Sequence, residues 1–271
     1  MKETVFLLFL LAFLQAYGYA GLCPLSGDYP PCGTISLGEV TDMINGWAFG
    51  TASLSDVILM INAWAAPQTA SEKQVVELFV MSYCPYGLQM EKGLIPVLDA
   101  LNDSVVFSVR FCSYAMHGKK EIDEQLLQHC IQEERPDSFI PYLRCFLEEG
   151  NSSGCLNRTG LAGSELAGCI SSTDAGYNVS GGYYDRSAWL YGRYPPFAVD
   201  SALNSIYGIY ASPTLVVGSS VVSTGRDPKS LLETICSAYS QKPSACSADL
   251  PDETPAPGFG YDGTGSGSGS C

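Results

Sequence analysis

An apolar run rich in β-branched residues, Val75-Val76-Glu77-Leu78-Phe79-Val80-Met81, ends at Ser82-Tyr83-Cys84-Pro85-Tyr86-Gly87, and a helical pattern begins at once. The spacing predicts a strand over 75–82 running into a helix over 84–101, with Leu88, Leu94, Ile95, Leu98 and Leu101 on its apolar face and a kink at Pro96. A strand that feeds a helix directly points to the α/β class. Pro85 suits the first helical position, where its missing N–H costs nothing, so Cys84 falls at the N-cap. Backbone N–H groups and the helix dipole there favour thiolate over thiol. The thiolate is the form that attacks disulfides, which makes Cys84 a candidate redox nucleophile. The second cysteine of a Cys-x-x-Cys pair is missing, and Gly87 stands in its place.

The chain has 11 cysteines against 2 histidines, which suits disulfides better than zinc sites. The odd count leaves at least one thiol free or bonded outside the chain. A net charge of −14, from 14 basic and 28 acidic residues, opposes a nucleic-acid partner. Residues 1–20 read as a secretory signal: Lys2, an apolar core from Val5 to Leu14, then Gly18 and Ala20 at the cleavage point. That run is too short to be read as a membrane span. Glycosylation sequons at Asn102, Asn151, Asn157 and Asn178 agree with export. The expected location is therefore secreted or cell-surface. No phosphate loop, HExxH motif or Ser-His-Asp signature is present, and no cofactor or metal is expected.

Residues 21–65 are expected to form a small helical hairpin. Ile35-Ser36-Leu37-Gly38-Glu39-Val40 aligns with Ala52-Ser53-Leu54-Ser55-Asp56-Val57, a period of 17 residues from 35 to 52. Ile44-Asn45-Gly46-Trp47 aligns in the same way with Ile61-Asn62-Ala63-Trp64. Ser36 and Ser53 are N-caps with an acid three residues on. Val40, Ile44 and Trp47 share a face, as do Val57, Ile61 and Trp64, which predicts a core of facing tryptophans. The pair resembles a dockerin repeat: counted from Asp28, Gly33, Ile35, Ser36 and Glu39 fall at positions 6, 8, 9 and 12 of a calcium loop. Pro30 and Cys32 occupy ligand positions of the first loop. Trp47 and Phe49 occupy those of the second, beside Asn45 and Asp56, so the loops are degenerate. The resemblance implies a cohesin-like partner, against a plain reading as a spacer or surface-attachment module. A polar linker follows at 66–73, and a flexible Gly/Ser/Pro tail at 248–271 ends in Cys271.

The main domain is expected over 74–247. After the first helix come a strand at 105–112, a cysteine-studded helical region at 121–208, strands at 214–218 and 220–224, and a helix at 227–240. This order carries the Ser82–Tyr86 block, Met116-His117-Gly118, Cys130, the Cys145, Cys155 and Cys169 set, Ser212-Pro213-Thr214, and the closing Ile235-Cys236-Ser237-Ala238-Tyr239 and Pro243-Ser244-Ala245-Cys246. It resembles the thioredoxin superfamily, and within it the DsbA-like and gamma-interferon-inducible lysosomal thiol reductase branch. The resemblance implies a thioredoxin-like fold with a disulfide-rich helical insertion. It also implies a cis Pro213 facing Cys84, with Ser212, Pro213 and Thr214 pairing with an extended substrate segment like an added strand. The helix-cap motif is completed by Pro85, Tyr86 and Gly87. The implied activity is thiol–disulfide exchange on exported cysteine-containing proteins, served by a membrane redox partner. Spacing and the resemblance together imply the pairs Cys23–Cys32, Cys130–Cys169, Cys145–Cys155 and Cys236–Cys246. Cys84, Cys112 and Cys271 then remain. Ala115 and Ile122 stand where the reductase branch often carries two more cysteines.

With Gly87 in place of the local partner, three candidates for the resolving thiol stay open. Cys112 closes the second strand, at the sheet edge expected for Cys84. Cys271 sits on a tether, and an external thiol is the third. His117 reads as a loop histidine with a structural hydrogen bond, and the aromatic stretch from Tyr183 to Phe197 as packing. The competing function is a non-catalytic peptide-binding or display module, attached through its repeats and terminal cysteine.

Overall fold

The computed structural model describes residues 35, 37–48, 50, 52–65 and 73–261. The chain divides into two compact units, Met1–Pro67 and Gln68–Cys271. In the first, helices α1 (Leu37–Ala48) and α2 (Leu54–Ala65) pack around Ile35, Val40, Met43, Val57 and Met60. Ser53 opens α2 with a capping box: its Oγ accepts from the Asp56 N–H at 3.1 Å, and the Asp56 carboxylate accepts from the Ser53 N–H at 3.2 Å. The expected core of facing tryptophans does not form, since Trp47 is 48% and Trp64 38% exposed. The buried seam instead runs through the i, i+3 pairs Val40/Met43 and Val57/Met60. Flexible, unbranched methionines fill the space between two short helices. The signal segment, the Cys23–Cys32 pair and the first calcium-loop register fall outside the described residues, save for Ile35 and Glu39.

The second unit is built on a four-stranded sheet ordered β2-β1-β3-β4. Strand β1 (Gln74–Val80) pairs in parallel with β2 (Val105–Phe111) and antiparallel with β3 (Thr214–Val217), which pairs antiparallel with β4 (Ser220–Val222). Central β1 is flanked on both sides and almost wholly buried, which suits its near-continuous apolar sequence. Helix α3 (Pro85–Leu101) follows β1 and runs through Pro96 without ending there. Between β2 and β3 lie α4 (Lys119–Glu134), α5 (Pro136–Glu149), α6 (Ser152–Arg158), α7 (Gly163–Tyr177), α8 (Val179–Tyr184) and α9 (Ser201–Tyr207). Helix α10 (Pro228–Ser237) comes after β4. Gly93 lets α3 approach the loop before α10: a Cβ at 93 would sit 2.2 Å from the Arg226 carbonyl oxygen.

Disulfides staple the helices. Cys130–Cys169 joins α4 to α7, Cys145–Cys155 joins α5 to α6, and Cys236–Cys246 ties α10 to the turn at 244–247. The segment after that turn departs from the expected free tail. It forms no helix or strand up to Tyr261, yet it is docked on α3 and α5. The Gly258 N–H donates to the Pro85 carbonyl at 3.0 Å, and the Gly260 N–H to the Leu147 carbonyl at 2.9 Å. Phe259 packs edge-on against Tyr83 and Phe146, with ring centroids 5.5 and 5.3 Å away. Its Pro and Gly content rules out regular structure, but two aromatics and a row of carbonyls suffice to hold it.

Candidate active site at the start of helix α3

The site forms where β1 gives way to α3. Met81–Tyr83 make a turn, closed by the Cys84 N–H donating to the Met81 carbonyl at 2.9 Å. Extended backbone at Cys84 (φ −66°, ψ 121°) then makes it the N-cap, with Pro85 at the first helical position. Its Sγ accepts from the Gly87 N–H at 3.4 Å. Peptide Ser212-Pro213 is cis, and the Ser212 carbonyl oxygen lies 3.6 Å from the same sulfur. Ser212 Oγ accepts from the Met81 N–H at 2.9 Å, pinning the proline loop to the end of β1. Thr214 turns its hydroxyl back onto the Ala211 carbonyl at 2.7 Å. Cys84 is disulfide-bonded and fully buried in this state.

Gly87, at the site of the missing thiol, faces this same loop. A Cβ there would lie 3.1 Å from Ser212 Oγ and 3.3 Å from the Met81 carbonyl oxygen. Tyr86 is 40% exposed at the rim, with the Arg226 guanidinium 5.0 Å over its ring.

Cys112 shares a small buried cluster with Cys84, Phe79, Met81, Ile209 and Val216, as their common sheet edge requires. Yet its thiol is free and 1% exposed. Burial, and then the carboxylates of Glu121 and Asp200, push it up to about 12. Raising a thiol's pKa lowers its thiolate fraction and so its reactivity in this state.

Glu121 is a structural element of the site that pattern reading misses. Its buried carboxylate accepts from the N–H groups of Tyr83 (3.1 Å), Met116 (2.7 Å) and His117 (3.0 Å), and meets His117 Nδ1 at 2.7 Å. One side chain thus ties the loop after β2 to the residue before Cys84, and His117 serves that clamp. The aromatic stretch divides: Phe197 is buried against Phe111, whereas Tyr191 is 83% exposed near Tyr114. The four sequon asparagines are all exposed. Among the described residues no cluster of three or more potential metal ligands occurs, and no helix is long and apolar enough to cross a membrane.

The β2-β1-β3-β4 order, the parallel β1–α3–β2 unit, the antiparallel β3 and the cis-proline before it define a thioredoxin-like fold with a helical insertion. No protein-family profile matches the chain, and no curated protein matches it. The dockerin resemblance accordingly finds no support. Among solved structures, DsbA from Mycobacterium tuberculosis in its reduced form aligns at 17% identity and a TM-score of 0.45, over 66% of this chain and 89% of that one. BdbD from Bacillus subtilis, oxidised, aligns at 20% identity and 0.44, over 62% and 89%. The disulfide bond oxidoreductase DsbG from Mycobacterium tuberculosis, reduced, aligns at 18% and 0.43, over 66% and 85%.

Proposed function

We propose that this protein is an exported thiol–disulfide oxidoreductase that acts on cysteine-containing proteins through Cys84. One observation carries the reading: the Cys84 sulfur sits at the N-terminus of α3, 3.4 Å from the Gly87 N–H and 3.6 Å from the carbonyl of a cis X-Pro bond. The N–H groups of a helix start stabilise negative charge, so reduction at this position yields a thiolate ready for exchange. It attacks one sulfur of a substrate disulfide, forms a mixed disulfide and expels the other sulfur as a thiolate. Ser212 and Pro213 present backbone alongside the reacting sulfur, where an extended substrate segment docks as an added strand. Three structural disulfides support an oxidising compartment, in keeping with a signal over residues 1–20 and glycosylation at the exposed Asn102, Asn151, Asn157 and Asn178.

The test compares wild type with Cys84→Ser in dithiothreitol-driven reduction of insulin. The variant should fall to the protein-free rate. Equal rates would leave a peptide-binding scaffold without chemistry at Cys84.

A further inference from the structure

The chain carries 28 acids against 14 bases, yet the stretches that frame Cys84 show the opposite balance. Ser82–Met90 and the proline loop Ile209–Thr214 contain no charged residue. The loop 223–227 between β4 and α10 contributes Arg226 and Asp227. Asp227 is buried there as the cap of α10, its carboxylate accepting from the Ser230 N–H at 2.8 Å. The first turn of α4 contributes Lys119, Lys120 and Glu121. Glu121 is buried and occupied by the N–H groups of Tyr83, Met116 and His117, and Lys119 is paired with Asp123. Lys120 and Arg226 are the charges that remain. We propose that these two cations select the substrate: a cysteine-containing polypeptide segment with carboxylates beside its cysteine. The selection of reacting substrates rests on Cys84 being the exchange nucleophile; recognition of the acidic segment does not.

Their placement carries the argument. Lys120 Nζ lies 4.2 Å over the ring of Tyr83, the residue before Cys84. The Arg226 guanidinium lies 5.0 Å over the ring of Tyr86, the second residue after it. One cation is therefore fixed to the chain on either side of the reacting residue. Neither forms an ion pair among the described residues, the Asp252 and Glu253 carboxylates of the docked segment included. Arg226 is also held by Gln89, whose Oε1 accepts from its Nη1 at 2.7 Å, while Gln89 Nε2 donates to the Pro255 carbonyl at 2.6 Å. A guanidinium has five N–H donors in one plane, so a single bond to Gln89 leaves a fork for a carboxylate. Lys120 is exposed and Arg226 half-buried, so an arriving segment can reach both.

The net charge of −14 does not cancel this attraction at ordinary salt. The Debye length is about 8 Å at 0.15 M, so remote acids are screened while a carboxylate in contact with Lys120 or Arg226 is not. An exposed ion pair of this kind contributes about two- to five-fold, and the two together about ten-fold. A segment added alongside Ser212 and Pro213 brings its cysteine to Cys84, and the residues next to that cysteine fall beside Tyr83 and Tyr86. Cations that served only to pack on two rings would leave the site indifferent to the charge of what docks there.

Three peptides of one sequence, with aspartates, asparagines or lysines on both sides of a single cysteine, test the proposal as their 2-pyridyl disulfides. The Cys84 thiolate of the reduced full-length protein attacks the peptide sulfur, the S–S bond breaks, and 2-thiopyridone leaves with a proton from water and is read by its absorbance. Cys84→Ser supplies the background, and each rate is divided by that of dithiothreitol with the same peptide. In about 0.15 M salt the aspartate peptide should react about ten-fold faster than the asparagine peptide, and the lysine peptide more slowly than either. That ratio should shrink to within about two-fold in 1 M salt and in the double variant Lys120→Gln, Arg226→Gln, whereas Arg226→Lys should keep most of it. A ratio taken within one protein is not moved by a loss of folded material. Equal rates for the three peptides, or a ratio that survives the double substitution, overturn the selection. Fluorescence anisotropy of the same peptides, labelled and with serine for cysteine, reads recognition without chemistry. Tighter binding of the aspartate peptide that the double variant loses supports the proposal even if no peptide reacts, and the exchange reading alone then falls. Equal binding of all three where none reacts overturns both.

Discussion

Cys130 in the helical insertion and Cys84 at the start of α3 are both 0% exposed, yet their surroundings differ in kind. The Cys130 sulfur is bonded across to α7 within a core that includes Leu126, Ile131 and Leu166. The Cys84 sulfur takes a hydrogen bond from a helix-start N–H and faces a carbonyl beside a cis-proline. Cys112 is a third case: in the same small cluster as Cys84, its free thiol is driven up first by burial and then by the Glu121 and Asp200 carboxylates. Burial is common to all three sulfurs and does not tell their positions apart. The groups that face each sulfur do: a helix-start N–H at Cys84, and carboxylates at Cys112.

The sharpest way to break this contrast is to remove sulfurs from the insertion and ask whether exchange survives. Deleting Cys130–Cys169, which closes a separation of 39 residues, with paired alanine substitutions should cost about 4 kcal/mol in urea unfolding. The same change at Cys145–Cys155, with a separation of 10, should cost about 3 kcal/mol. Both variants, while folded, should keep wild-type insulin reduction. Loss of activity in either folded protein would mean that the insertion's sulfurs take part in exchange.

How much of this is legible in the sequence follows from range. The β1–α3 junction is readable because its signals are local: an apolar run, a proline suited to the first helical turn, and an apolar helical face. The strand stops at Val80 rather than Ser82 because the turn that sets up the Cys84 cap consumes Met81–Tyr83. Glu91 and Lys92 are charged residues inside α3 that its apolar pattern does not single out. They are buried because α3 is enclosed by α5, α10 and the docked segment 248–261, and that enclosure is assembled from residues up to 168 positions away. That docked segment is illegible for a related reason. Its composition announces the lack of regular structure correctly, and only Phe259 and Tyr261 hint that it packs. Glu121 gathers partners from residues 83, 116 and 117, a grouping without any sequence period.

Glu91 and Glu124 form the seam between the two regions and supply the smallest of the expected effects. Glu91 lies on α3, fully enclosed, and its Oε1 has no hydrogen-bond partner among the described residues. Burial, and then the nearby Glu124 carboxylate, push its pKa from 4.5 up to about 8. Burial raises Glu124 to about 7, against hydrogen bonds from Ser152, Gln128 and Tyr142 that pull it down. A carboxyl whose folded pKa lies above its unfolded value keeps its proton longer when folded. The stability it lends is therefore fully present below about pH 4.5 and is lost as pH rises toward about 8. Within that window each such group steepens the fall by about 1.4 kcal/mol per pH unit. Glu91→Gln replaces the protonated acid by a neutral isostere, so its unfolding free energy should decline less steeply between pH 5.5 and 7 by about that slope. Urea titrations of wild type and variant across that range measure the difference. Parallel curves would mean that Glu91 is ionised in the folded protein, and that the seam between insertion and active-site helix is wetter than its burial implies.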